Sequence, residues 1–413
     1  MIDLSSPRAR YVILALLMIA QLGASLIQQG LGALAPFFVT ELALSKAQLG
    51  SIFTALSLGS AFFLTPAGIL VDRIGERRAI FWSGLLMGLA LIAGAAFESY
   101  LSVVVALFFV GVFYAPTTPA GGTAIMSWFT RDRGVAMGLR QTGVPLGAAL
   151  GGLVFPLLAT HFGYRGAFVG GGIICIAACT VATSLYRENA EMRAAPQRTR
   201  ALASGILDVV RDPRMVYITL ACMILVSAQT CMNSFIAVTA TTDGLPIAIA
   251  AAMFSVGQLA AAFGRIFWGV LSDMVFGGDR TLPILFITVT MALASLGVAL
   301  IAPHQTFALF VAVALLGMSA SGWNGLFAVA MAELGGAARA GTVLGVGLTA
   351  IFAMGAVAPT LFGTIADAHG LRNAWLWLAF LGVAGVVPAV LARRAIALRA
   401  AVAPGARTQS SKQ

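Results

Sequence analysis

The sequence predicts an all-α membrane protein of twelve transmembrane helices arranged as two pseudo-symmetric six-helix bundles. Composition, the spacing of apolar runs and an internal repeat predict it. Of the 413 residues, 60% are hydrophobic and only 10% charged, against roughly one quarter charged in soluble domains. A span needs about 20 apolar residues, so this length holds a dozen spans with short connections and almost nothing outside the membrane.

Apolar runs and their breaks place the spans at 11–36, 47–71, 79–97, 100–125, 134–158 and 167–186, then at 214–240, 248–272, 281–302, 307–331, 341–365 and 374–392. The first follows Arg8 and Arg10, as a secretory signal would, but runs from Tyr11 to Pro36 and is too long for a signal's apolar region. The longest polar stretch falls between spans 6 and 7 and carries Arg187, Arg193, Arg198, Arg200 and Arg211. The expected organisation is therefore an N-terminal bundle over 1–186, a linker over 187–213, a C-terminal bundle over 214–392 and a tail over 393–413.

The net charge of +10 belongs to short loops, so it marks membrane orientation and not a nucleic-acid surface. Twenty of the 25 Lys and Arg fall on the side of the N-terminus, linker and tail, while Lys46, Arg165 and Arg372 fall on the other. Both termini are thus expected in the cytoplasm. Cys175, Cys179, Cys222 and Cys231 lie in apolar runs without acidic or His neighbours at metal spacing, and read as reduced packing residues.

The halves repeat each other. Gly68, Asp72, Arg73, Gly75, Arg77 and Arg78 follow span 2, and Gly269, Asp273, Gly277, Gly278 and Arg280 follow span 8. The first set fits G-x-L-x-D-R-x-G-x-R-R at every specified position, and the second is a degenerate copy. On these residues and the 6+6 layout the chain resembles the major facilitator superfamily. The resemblance implies two bundles rocking about a central site, with spans 1, 4, 7 and 10 lining it and spans 2, 5, 8 and 11 between the halves.

Asp72, Arg73, Arg77, Arg78 and Asp273 are candidate gating residues. A carboxylate at a helix end can pair with nearby cations and with a neighbouring helix N-terminus, and so hold one conformation. Topology marking alone would explain the arginines but not a recurring Asp. In span 5, Gly143, Gly147 and Gly151 form one smooth face with Pro145 adding a bend, which suits close helix packing or a sliding surface between halves.

Arg140 and Arg265 lie inside predicted spans, where an unpaired charge costs several kcal/mol, so both are candidate substrate ligands. Each sits roughly 10 Å from the cytoplasmic end at about 1.5 Å per residue. Snorkelling of Arg140 and a gate role for Arg265 are the alternatives. Where the resemblance makes spans 5 and 8 neighbours, two cations share a cavity and an anion relieves their repulsion.

Gly264, Arg265, Trp268, Gly269, Ser272 and Asp273, with Trp128, Arg133, Gly134, Ala136 and Gly138, resemble the oxalate/formate antiporter and monocarboxylate transporter branches. That likeness implies that Arg265 binds a substrate carboxylate. Span 11 has no Lys or Arg, and Ile351 stands where the oxalate branch has Lys, so Arg140 would supply any second charge.

Gln21, Ser25 and Gln28 share a face of span 1, as do Gln229 and Asn233 in span 7. Tyr114 in span 4 and Trp323 and Asn324 in span 10 reach similar levels when Gly111 is aligned with Gly317. The candidate substrate ligands are Arg265, Arg140, Gln28, Tyr114, Asn233, Trp323 and Asn324. No Asp, Glu or His lies well inside a span, which argues against a side-chain proton relay.

The expected function is exchange or secondary active transport of a small organic anion, a carboxylate, across the plasma (inner) membrane by alternating access. Efflux of apolar or drug-like compounds is the alternative, and a carrier-derived sensor a further one. No catalytic constellation occurs, and no enzyme activity, cofactor, metal or nucleic-acid partner is expected. The expected partners are the anionic substrate and the bilayer, with the chain acting as a monomer.

Overall fold

The computed structural model describes residues 9–96, 98–129, 132–188, 209–336 and 339–402. Much of the expected linker, with Arg193, Arg198 and Arg200, and the tail beyond 402 lie outside these residues. Every regular element among the described residues is helical. α1 comprises Ala9–Gln28, a 3-10 turn at Gly30–Leu34 and Ala35–Glu41; α2 is Lys46–Ile74, α3 is Glu76–Gly94, and α4 is Tyr100–Tyr114 followed by Thr117–Trp128. The helical run Arg133–Leu185 is 53 residues long and turns at Gly163 (φ 66°, ψ 178°), where only glycine is unstrained. It thus forms two spans, α5 (133–162) and α6 (164–185).

In the second half α7 is Pro213–Thr242, α8 is Ile247–Met274 and α9 is Thr281–Leu300. α10 is Thr306–Ala320 followed by Trp323–Gly335, α11 is Ala340–His369 and α12 is Leu371–Val402. These are the twelve expected spans, with ends shifted by a few residues except in α12, which continues well past 392. All four cysteines are free and buried.

Glycines set how closely the helices cross. The α5 face of Gly143, Gly147 and Gly151 packs on α1 of its own half, against Gln21, Leu22 and Gly30. It is a packing seam within a bundle, not a surface between halves. Gly111 lets α4 cross α2 at Leu56, and Gly317 lets α10 cross α8 at Gly257. The two glycines aligned from sequence thus make the equivalent crossing in each half.

The halves meet along α2–α11 and α5–α8, and the contact is tight only away from the termini. There a Cβ on Gly50 would strike Pro359, one on Gly363 would strike Lys46, and one on Gly152 would strike Ser255. Thr54 Oγ1 donates to the Ala356 carbonyl (2.5 Å) and pairs with Thr360 Oγ1 (2.8 Å). Toward the termini the same four helices have open space beside Gly68, Gly138, Gly269 and Gly345. The second segments of α4 and α10 make their main contacts within their own halves. The molecule is closed on the face opposite the termini and open on the terminus side.

One carboxylate completes the closure. Ser45 and Gln48 form a capping box at the start of α2, and Asp367 of α11 accepts from the Lys46 and Ala47 amides, both at 2.8 Å. All four amides at 45–48, which the helix itself leaves unpaired, are thereby satisfied, two of them from the other half. The acidic group also faces the positive end of the α2 dipole. Replacing Asp367 with Ala should remove about 1 kcal/mol of closure, roughly fivefold in population. Distances between spin labels on the outer ends of α2 and α11 should lengthen; an unchanged distribution would show that packing alone closes this face.

Candidate functional site

Three of the four helices expected to line the centre are interrupted near their middles. α1 passes through the 3-10 turn after Gln29, α4 breaks at Ala115–Pro116 and α10 at Ser321–Gly322. α7 is continuous. Breaks of this kind leave backbone groups to be paired by side chains or ligand, and are tolerated at membrane depth only where protein or a cavity surrounds them.

The N-terminal half holds Arg140 at this level, and it is not a free cation. Its Nη2 donates to Gln21 Oε1 and to the Thr117 carbonyl, both at 2.7 Å. Gln21 Nε2 in turn donates to Ser25 Oγ (2.8 Å) and to the Tyr114 hydroxyl (3.2 Å). Arg140 is only 2% exposed, so it does not snorkel, and its seat exists because Gly121 has no side chain: a Cβ there would overlap the guanidinium. The expectation of two unpartnered cations facing one cavity is corrected here, since Gln21 and a backbone carbonyl beside the α4 break already solvate Arg140.

Arg265 is held differently. Its Nη1 donates across the halves to the Gln141 carbonyl at 2.9 Å. That carbonyl is available because its in-helix donor would be the amide of residue 145, and Pro145 has none. Arg265 Nε is buried without a hydrogen-bond partner, and Nη2 has none among the described residues. The Nε–Nη2 edge, the planar side-on fork that matches a carboxylate, is therefore unused. Tyr114, whose hydroxyl accepts from Gln21 Nε2, is an electrostatic neighbour of both Arg140 and Arg265.

The other candidates divide in the same way. Gln28 Oε1 and Trp323 Nε1 are buried polar atoms without a partner among the described residues. Asn233 Oδ1 accepts from Gln258 Nε2 at 2.6 Å, and Asn324 Nδ2 donates to the Ser321 carbonyl at 3.1 Å, so both are already engaged.

The gating candidates all sit at the open, terminus-side ends. Asp72, Arg73 and Arg78 are exposed and make no ion pair among the described residues. Arg77 Nε donates to the Thr183 carbonyl (2.8 Å) and its amide to Glu188 Oε1 (3.0 Å). Asp273 pairs with Arg280, which also reaches Glu333 at 3.2 Å. None of these contacts joins the two halves.

Sequence reading missed the Gln141 and Thr117 carbonyls as acceptors, Gln258 as the partner of Asn233, and the capping role of Asp367. Pro145 four residues after Gln141 was a usable signal, and so was a third G-x-x-x-D, Gly363 to Asp367, at the far end of α11. The Thr117 and Gln258 roles depend on neighbours in space.

Gly121→Ala should lower stability by about 1–3 kcal/mol through overpacking against Arg140. At Gly122 an added Cβ would approach only Met137 Cε, at 3.8 Å, so Gly122→Ala should be nearly neutral. Thermal unfolding of the two variants side by side checks this, and equal effects would mean that the Arg140 seat carries no special constraint.

Residues 17–359 match the family model described as Major Facilitator Superfamily. An uncharacterised MFS-type transporter of Mycobacterium tuberculosis (strain ATCC 25618 / H37Rv) is 30% identical over 332 residues, covering 79% of this chain and 72% of that protein. The hexuronate transporter of Bacillus subtilis (strain 168) is 28% identical over 143 residues, 34% of each chain. The crystal structure of a bacterial homologue of the human lysosomal transporter Spinster, in an inward-facing and occupied conformation, shares the fold. Its TM-score is 0.79 at 18% identity, with 95% of this chain and 98% of that one covered. With twelve spans in two matching halves, the signature loop after α2 and a family match across most of its length, this chain belongs to the major facilitator superfamily.

Proposed function

We propose that this transporter carries a small organic anion by alternating access, with the substrate carboxylate received on the Nε–Nη2 edge of Arg265. The observation that carries the reading is that unused edge. A guanidinium within a span is tolerated only when solvated by protein, water or ligand, and Arg265 has one cross-half bond and an unsatisfied buried Nε. Arg140, behind its Gln21 screen, adds positive potential without needing to touch the substrate. Tyr114, Gln28 and Trp323 supply polar atoms for the rest of the molecule, and the hexuronate relative is by its name a carrier of an organic anion.

The charge asymmetry of the loops orients the termini toward the cytoplasm, which makes the open side the cytoplasmic one. Asp367 and Asp72 then act as alternate latches on the antiparallel α2–α11 pair. Asp367 is engaged while the outer face is closed, and Asp72 engages when the inner face closes. With no acidic or His side chain deep in a span, exchange or facilitated movement fits better than a side-chain proton relay.

Purified protein screened against carboxylates should gain roughly 2.7 kcal/mol at 100 times the Kd of its substrate. Arg265→Gln should fold and insert yet lose that gain, together with counterflow in proteoliposomes. Arg265→Lys should recover little, because a point charge does not replace a planar fork. Parental stabilisation of Arg265→Gln by the same carboxylate would remove the anion assignment and leave efflux of an uncharged solute as the better reading.

A further inference from the structure

A second anion-compatible site lies away from the centre, at the terminus-side ends of α3 and α6. A groove of about 900 Å³ there is lined by Arg73, Arg77, Arg78 and Arg187, with Thr183 and Glu188 among its other walls. Four guanidiniums thus face one carboxylate. That carboxylate is already committed, since Glu188 Oε1 accepts from the Arg77 amide at 3.0 Å at the start of α3. The other nearby acid, Glu76, is buried and accepts from the Tyr186 hydroxyl at 2.9 Å. Arg77 spends its Nε on the Thr183 carbonyl, while Arg73, Arg78 and Arg187 are exposed and make no ion pair among the described residues.

The two helices also expose apolar side chains next in sequence to the lining residues. Trp82, next to the lining residue Phe81, is 49% exposed, and Val181 and Leu185, which alternate with the lining residues Thr180 and Ser184 on α6, are 51% and 54% exposed. On a membrane protein such an apolar face meets acyl chains, and a tryptophan at this level suits the interface. The groove therefore opens where lipid tails meet the basic end of the molecule.

We propose that this groove binds the phosphate headgroup of an anionic phospholipid, with its acyl chains lying against the Trp82, Val181 and Leu185 face. Planar guanidinium forks suit phosphate oxygens, basic pockets at the cytoplasmic ends of spans recruit such headgroups, and anionic lipid is enriched in that leaflet. The exposed apolar side chains of the same helices favour lipid over a free anion, which would gain nothing from them.

The test uses the full-length protein and a residue outside both the central site and the signature loop. Native mass spectrometry from detergent would compare retention of phosphatidylglycerol with that of phosphatidylcholine in the parent, in Arg187→Gln, and in Arg394→Gln as a remote basic control. Arg187→Gln should weaken phosphatidylglycerol retention about fivefold, the worth of roughly one cation near the surface, with Arg187→Lys partly restored and phosphatidylcholine unaffected. Matching unfolding temperatures in phosphatidylcholine would confirm that the variants are folded. Equal losses in Arg187→Gln and Arg394→Gln would overturn the site, as would a headgroup lost no faster from Arg187→Gln than from the parent. Displacement of the lipid by millimolar inorganic phosphate would overturn the lipid assignment in favour of a soluble anion.

Discussion

In hydrocarbon every backbone amide, carbonyl and charge has to find its partner inside the protein, and this structure is organised around the few places where it does not. Proline at 145 removes one helical amide and leaves the Gln141 carbonyl facing the other half, where Arg265 takes it. The bond fixes Arg265 across the interface but occupies only one of its nitrogens. What is left over is a buried Nε without a partner, a donor that only water or an acceptor group could satisfy. The same rule explains why the interruptions of α1, α4 and α10 cluster at the centre, since elsewhere in the membrane nothing could satisfy them.

Arg140 and Arg265 illustrate how two equivalent-looking charges acquire different tasks. Both lie at about the same depth in neighbouring helices of opposite halves. Arg140 is wrapped by Gln21, the Thr117 carbonyl and the space left by Gly121, so it is solvated by its own bundle and remains a fixed source of potential. Arg265 is solvated by the other bundle through a single bond, so its environment changes whenever the halves move. On the function proposed above, a charge whose solvation depends on conformation is the one able to couple ligand binding to movement.

On the reading proposed above, the α2–α11 pair carries the corresponding logic for the gates. These helices are antiparallel, and each ends in G-x-x-x-D: Gly68 to Asp72 on one, Gly363 to Asp367 on the other. At the closed end the glycine admits close approach of Lys46 and the carboxylate caps the N-terminus of the partner helix. At the open end the glycine faces open space and Asp72 is exposed. A helix cap is worth about 1 kcal/mol, small against the packing of a bundle but comparable to the difference between two conformations of similar stability, so it biases a gate without locking it.

Composition and run length by themselves determined that twelve helices cross a membrane, because burial in hydrocarbon is a property of each segment alone. The repeat determined the two halves, and the Gly111–Gly317 alignment located equivalent helix crossings because both satisfy the same local steric demand. The two intramembrane arginines were legible for the same reason: a charge among apolar residues is conspicuous in one dimension. Which of them is satisfied was not, since Gln21, Thr117 and Gly121 approach Arg140 only through the packing of α1, α4 and α5. The role of Asp367 was hidden likewise, for its partners at Lys46 and Ala47 lie more than three hundred residues away. Only the tertiary structure decides which face is closed, because both arrangements bury the same apolar stripes and differ in a few contacts between halves.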